Sequence, residues 1–414
     1  MIPVALAVAV LVPARAQDAT DRAVAALAQT PVVRAALAAA KANETQIIET
    51  QIRFSEISAP SFKERPRGEE LKRVFEQLGL KDVRVDKAGN VLGDRPGAAP
   101  HPHVVVAAHL DTVFPEGTNV KIKRDGPVLR GPGIGDDGRG LAVLVGIIRA
   151  LTEANVQTAG SITFVADVGE EGLGDLRGMK ELFDVTLKGR VDRFVSIDGG
   201  GMSVAHTFVE SRRYRVTFKG PGGHSFGAFG VPNPIDALGR AVAKISAFQV
   251  PVEPKTTFNV GRIGGGTSIN SIPVDAWMEV DLRSVDHHAL STLDANLQTA
   301  LNAALTEENA RWHAPSALTM EKTVVGFRPG GATPVDSLIV QAAFAATRAV
   351  GAFPTSAVSS SDANYPTSLH VPSVEIGGGG RGADAHTPGE AFDTTDSWLG
   401  TQRALLLTIA LAQK

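Results

Sequence analysis

Three apolar runs of this chain end in residues that bind metal ions: V-V-V-A-A-H-L-D closes on His109 and Asp111, I-T-F-V-A-D-V-G-E-E on Glu170 and Glu171, and F-V-S-I-D-G-G on Asp198. Between the first two lies G-P-G-I-G-D-D-G-R-G, which sets Asp136 ahead of a long apolar run, and near the C-terminus a glycine-rich loop after V-P-S-V-E-I delivers His386. The expected ligand set is His109, Asp136, Glu171, Asp198 and His386. Two imidazoles and three carboxylates suit a pair of divalent ions, because one carboxylate can bridge while each ion keeps a position open for water and substrate. Zinc is the first expectation, with cobalt or manganese as substitutes. Two such ions about 3.5 to 4 Å apart polarise a carbonyl and activate a water, which is hydrolytic chemistry.

That chemistry also needs a proton carrier. Glu170 and Glu171 leave a strand end together and can both reach one crevice, so Glu171 is assigned to metal and Glu170 to the general base. Asp111 lies two positions after His109, on the same face of an extended segment, where its carboxylate can hold the second imidazole nitrogen and fix the tautomer. Each residue alone has an ordinary explanation. Asp136 could cap a helix, Asp198 before two glycines could form a turn, Glu170 and Glu171 could sit in a solvated turn, and His386 could be a loop histidine. Independent turn formers have no reason to recur together at the ends of successive buried strands.

The elements that would position these residues alternate strand and helix from residue 103 to Asp198, the pattern of a mostly parallel sheet flanked by helices. Ligands gather at the carboxyl ends of the strands in such sheets. From about Arg212 the pattern becomes β-α-β-β-α-β, the order of a ferredoxin-like domain. The expected organisation is a signal peptide over residues 1–16, a catalytic domain over 17–209 that resumes at 325–414, and an inserted domain over 210–324. The alanine-rich stretch 18–41 reads as a surface helix or arm. In the insert, V-D-A-W-M-E-V-D-L-R sets Val274, Ala276, Met278, Val280 and Leu282 on one face and leaves Arg283 among polar neighbours on the other.

In order along the chain, H-L-D, G-I-G-D-D-G-R-G, E-E-G-L-G-D, S-I-D-G-G, G-P-G-G-H-S and A-H-T-P-G-E resemble metallopeptidase family 20, which includes glutamate carboxypeptidase, peptidase T and aminoacylases. The resemblance spans roughly residues 45 to 414. It implies that His109 binds one ion with Asp111 orienting it, and that Asp136 bridges both ions beside a cis peptide while Asp137 is no ligand. It further implies Glu170 as base, Glu171 as ligand, and Asp198 and His386 as the residues that complete the two ion sites. In such proteins the insert dimerises, and the histidine of its G-G-H-S turn stabilises an oxyanion; that residue corresponds to His224. Arg283 and Asn270 correspond to residues that hold a substrate carboxylate or backbone. Arg381, after four glycines, is nominated as a second anion clamp.

The resulting expectation is a dinuclear metallo-exopeptidase acting on small peptides, of dipeptidase, tripeptidase or aminopeptidase type. A carboxypeptidase or an N-acyl-amino-acid amidohydrolase is the alternative, and a non-catalytic metal- or peptide-binding relative the further one. Ser225, Ser268 and Ser360 lack the strand–turn–helix context of a serine nucleophile. With 414 residues, 43% apolar and 21% charged, the chain has a globular enzyme's composition, and a net charge of −3 without basic runs argues against nucleic acid. The apolar N-terminus followed by Ala14-Arg15-Ala16 reads as a cleaved export signal, too short for a stable membrane anchor. The protein is therefore expected in the periplasm or outside the cell, where a chain without cysteine is indifferent to oxidants.

Overall fold

The computed structural model describes residues 14–312 and 315–413, and it divides into two compact units. One comprises the chain up to Phe208 and again from Ala332; the other is Val209–Gly331.

In the first unit, strands Lys81–Val85, Val91–Arg95, Ile162–Asp167, Val104–His109, Arg193–Ile197, Ser373–Ile376 and Ser203–Phe208 lie side by side in that order. The central four are mutually parallel, and Val91–Arg95 and Ser203–Phe208 flank them antiparallel. The sheet is thus mixed, with a parallel core. Val104, Val106 and Ala108 face one apolar cluster with helix Gly138–Glu153, while Val105 and Ala107 face another with Leu176, Met179 and Leu182. A strand covered on both faces has no reason to alternate polar with apolar, which is why V-V-V-A-A reads as one continuous run.

One expectation changes here. The stretch expected as a surface arm forms helices Ala14–Gln29 and Pro31–Ala42, whose Val24, Ala28, Val33, Ala36 and Ala40 join the main core. Alanine at helical spacing lets helices approach closely, so a sparse apolar stripe was enough to bury them. The export signal lies largely outside the described residues; Ala14, Arg15 and Ala16 open the first helix. Among the described residues no single helix is long and apolar enough to cross a membrane; Ala19–Gln29 with Pro31–Ala42 pass together only as a pair bent by 77°.

In the second unit, strands Glu210–Lys219, Thr256–Gly265, Asp275–Ser284 and Thr319–Arg328 and helices Pro234–Ser246 and His287–Arg311 follow the order β-α-β-β-α-β. All neighbouring strands are antiparallel. The last strand pairs with the first from Thr319↔Lys219 through to Arg328↔Ser211, which carries the unit to Gly331 instead of ending it at 324. Ala276, Met278, Val280 and Leu282 face both helices, whereas Val274 lies before the strand and is exposed, because the run turns at Pro273.

Three arginines are wholly buried in the first unit, and each donates to main-chain carbonyls. Arg67 reaches Ile57 and Leu110, Arg139 reaches Gly378 and Ser397, and Arg403 reaches Met202, Ser203 and Gly377. Burial lowers Arg67 to about 10 and Arg403 to about 9, so both remain charged at neutral pH.

Candidate metal centre

The parallel strands deliver their ends to one place. His109 terminates Val104–His109 and is 1% exposed; its Nε2 lies 3.0 Å from Asp136 Oδ1 and 4.0 Å from Asp198 Oδ1. Asp198 immediately follows Arg193–Ile197. The other oxygen of Asp136, Oδ2, lies 2.9 Å from Nε2 of His386, which is 3.0 Å from Glu171 Oε1. His386, at a φ of 65°, sits in the loop between strands Arg381–Ala383 and Ala391–Asp393.

These side chains form two groups with donor atoms within 4.8 Å of one another: His109, Asp136 and Asp198, and Asp136, Glu171 and His386. Asp136 belongs to both, one oxygen toward each imidazole. Glu170, 5% exposed, falls in a third group with His109 and Glu171. All five expected ligands and the expected base therefore converge.

The electrostatics match a site built for cations. Burial pushes Asp198 well above the ordinary carboxylate range, with the neighbouring Asp136 adding to it. Burial likewise raises Glu171 to about 7 despite its bond to His386. Asp136 is held low against the effect of burial by hydrogen bonds from His109 and His386. His386 rises to about 10 through its bonds to Asp136 and Glu171. Carboxylates this crowded and buried need positive charge, and the donor set of neutral imidazole and carboxylate oxygen fits a borderline divalent cation.

Asp111 departs from expectation. The imidazole's Nδ1 donates to the main-chain carbonyl of Asp111 at 3.0 Å, while the carboxylate stands 3.7 Å away. The carbonyl fixes the tautomer, presenting the Nε2 lone pair to a metal. The carboxylate instead accepts the N–H groups of Gly169, Glu170 and Glu171, each at 3.0 Å, and the Ser61 hydroxyl at 2.6 Å. An extended segment puts both groups near one another, and three peptide donors outcompete one ring nitrogen.

Asp137, joined to Asp136 by a cis peptide, spends its carboxylate on peptide N–H groups. It caps helix Gly138–Glu153 by accepting from Gly140 N at 2.8 Å, and it also accepts from His109 N and Gly199 N at 3.2 Å each. The capping role weighed for Asp136 thus falls to its neighbour.

In the second unit, strand Gly223–His224 pairs with Ser271–Ile272, bringing His224 beside Asn270, whose carbonyl accepts from Ser225 N at 2.9 Å. His224 Nδ1 accepts from Phe226 N and Gly227 N at 3.2 and 3.3 Å, which leaves the proton of the neutral ring on Nε2. Arg283 is not brought to Asn270. It lies near the far end of Asp275–Ser284, about 27 Å from Asp275 by strand rise, with Nε 2.6 Å from Asp281 Oδ2. Arg381, 76% exposed, stands opposite Asp393 with 3.7 Å between charged atoms.

Sequence reasoning gave no role to Ser61 or Glu390. Ser61 offered no signal beyond standing in a loop; Glu390 stood in the quoted A-H-T-P-G-E, and its burial is a tertiary fact.

A family model described as Peptidase family M20/M25/M40 matches residues 105–411. The Bacillus subtilis protein YqjE is 26% identical over 306 residues, 69% of this chain and 78% of its own length. Succinyl-diaminopimelate desuccinylase of Corynebacterium glutamicum is 24% identical over 276 residues, 63% of this chain and 74% of its own. The crystal structure of aminopeptidase PepT from Bacillus cereus shares the fold at a TM-score of 0.70 and 21% identity, over 90% of this chain and 99% of that one.

Proposed function

Because the chain belongs to peptidase family M20/M25/M40, a family of metallohydrolases, we propose that it is an exopeptidase that hydrolyses short peptides with two divalent ions, zinc first among them. One observation carries this reading: Asp136 directs one oxygen to each of two ligand groups, with Glu170 buried beside them. His109 and Asp198 would hold one ion, Glu171 and His386 the other, and Asp136 both. When bound, such a pair polarises the scissile carbonyl and acidifies a water.

The residues of the chain supply the rest. Glu170, held by the peptide bonds that Asp111 fixes, takes a proton from the attacking water and returns it to the leaving amine. His224, carrying its proton on Nε2, keeps the donor that the family's oxyanion role requires. The pairing of Arg283 with Asp281 and of Arg381 with Asp393 weighs against a dedicated carboxylate clamp. That supports an aminopeptidase type over a carboxypeptidase or an N-acyl-amino-acid amidohydrolase.

Export to the periplasm or medium is part of the proposal, resting on the apolar N-terminus and Ala14-Arg15-Ala16. So is a homodimer through the insert, whose edge strand Thr256–Gly265 exposes Ile263; light scattering should then give twice the chain mass.

The deciding experiment is hydrolysis of a panel of di- and tripeptides and N-acyl amino acids by the zinc-loaded protein and by Glu170→Gln. Loss of kcat by about 100- to 10,000-fold in the variant, with both ions retained, is expected. Two bound ions without cleavage of any substrate in either protein would refute the peptidase reading.

A further inference from the structure

We propose that Glu390 is a positioning residue for the metal bridge: its carboxylate fixes the peptide loop that aims Asp136 at both imidazoles. This rests on the dinuclear reading above.

Glu390 is 1% exposed. Its Oε2 accepts from Gly133 N at 2.9 Å, and its Oε1 accepts from Gly135 N at 2.8 Å and from Asp136 N at 2.9 Å. The peptide N–H of the bridging residue itself is thus held. The main-chain carbonyl of Glu390 accepts from Gly131 N at 2.9 Å, so a single residue engages four peptide N–H groups between 131 and 136. Just beyond, strand Ala391–Asp393 pairs with Val128–Arg130, which leads into the same loop. His386, four residues before Glu390, contacts the Asp136 carboxylate, while Glu390 holds the Asp136 peptide N–H. Glu390 therefore ties together the two segments whose side chains meet across the second ligand group.

Chemistry explains the residue type. Two carboxylate oxygens accept only, and three N–H donors converge on them; bonds from peptide N–H to an ionised acceptor offset the loss of hydration. Glutamine would keep the volume but turn an N–H2 toward one of those donors. Asp111 and Asp137 act in the same manner on the peptides of residues 169–171 and of His109 and Gly199.

The test is cobalt titration of the metal-free protein, followed by visible absorption, for wild type, Glu390→Gln, Glu390→Ala and Ile339→Ala. Ile339 lies in the apolar core of the unit that bears the ligands, and its variant controls for general destabilisation of that unit. Loss of a residue that orients a ligand typically weakens metal binding 10- to 100-fold, and that loss is expected in both Glu390 variants while circular dichroism remains native. Ile339→Ala should lower the thermal midpoint and keep cobalt affinity. If the alanine variant unfolds, the glutamine variant carries the test. Glu390 variants that bind two ions as tightly as wild type overturn this inference alone. Wild-type protein that binds no cobalt overturns the dinuclear reading and this inference with it.

Discussion

His386 carries a proton at neutral pH in the metal-free protein, because Asp136 and Glu171 raise its pKa from 6.5 to about 10. A cation must displace that proton, so metal binding should tighten as pH rises toward 10 and weaken toward acid. Calorimetry in buffers of different ionisation enthalpy should show proton release on loading. A second buried titration lies beside the ligands, where Asp167 stands opposite His109 on the neighbouring strand. Asp167 and Asp362 are buried neighbours whose carboxyls can share one proton, and among the described residues no other group donates to either. Burial raises Asp167 from 3.8 to about 7 and Asp362 well above its ordinary value. An acid whose folded pKa exceeds its unfolded one stabilises below the unfolded value and loses that contribution as pH rises. Wild type should therefore lose stability relative to Asp167→Asn between about pH 4 and 7, as read from urea unfolding of the metal-free forms. The ligands were legible in sequence because imidazole and carboxylate at strand ends have a narrow range of uses. Asp111 and Glu390 were not legible as peptide clamps, since a carboxylate that binds metal and one that binds N–H groups differ only in direction.

Helix Gly138–Glu153 begins against the strand that bears Asp198, and Gly140 makes that approach possible. A Cβ there would stand 2.3 Å from the Asp137 carboxylate and 2.4 Å from the Ile197 carbonyl. Gly140→Ala should push helix and strand apart, costing stability and weakening metal binding at least tenfold in the cobalt titration. Gly239, in helix Pro234–Ser246, has nothing within 4 Å of its would-be Cβ. Gly239→Ala should instead stabilise by up to about 1 kcal/mol, through helix propensity alone. The two glycines look alike in the sequence, each inside an amphipathic or apolar helix. Element type followed from periodicity, as with Pro234–Ser246 behind its Asn233 cap; the role of a glycine depends on what faces it.

Each unit has its own apolar core, one around the parallel strands and the other around Leu293, Leu297 and Met278. Leu293→Ala should cost about 2 to 5 kcal/mol, with amide exchange accelerated in Val209–Gly331 and little changed in the other unit. The division was legible because the residue pattern switches from continuous apolar runs to strict alternation near Arg212. Packing of the N-terminal helices was not, because alanine is neutral evidence between surface and core. The peptide loops that carry Asp136, Glu170 and Glu171 are anchored through main-chain N–H groups, which every residue except proline possesses. Ligand side chains can therefore be exchanged without rewriting their supports. This scaffold should accept a redesigned coordination set, such as His386→Asp for a harder cation, while keeping its fold, which makes metal preference a trait that can drift or be engineered one residue at a time.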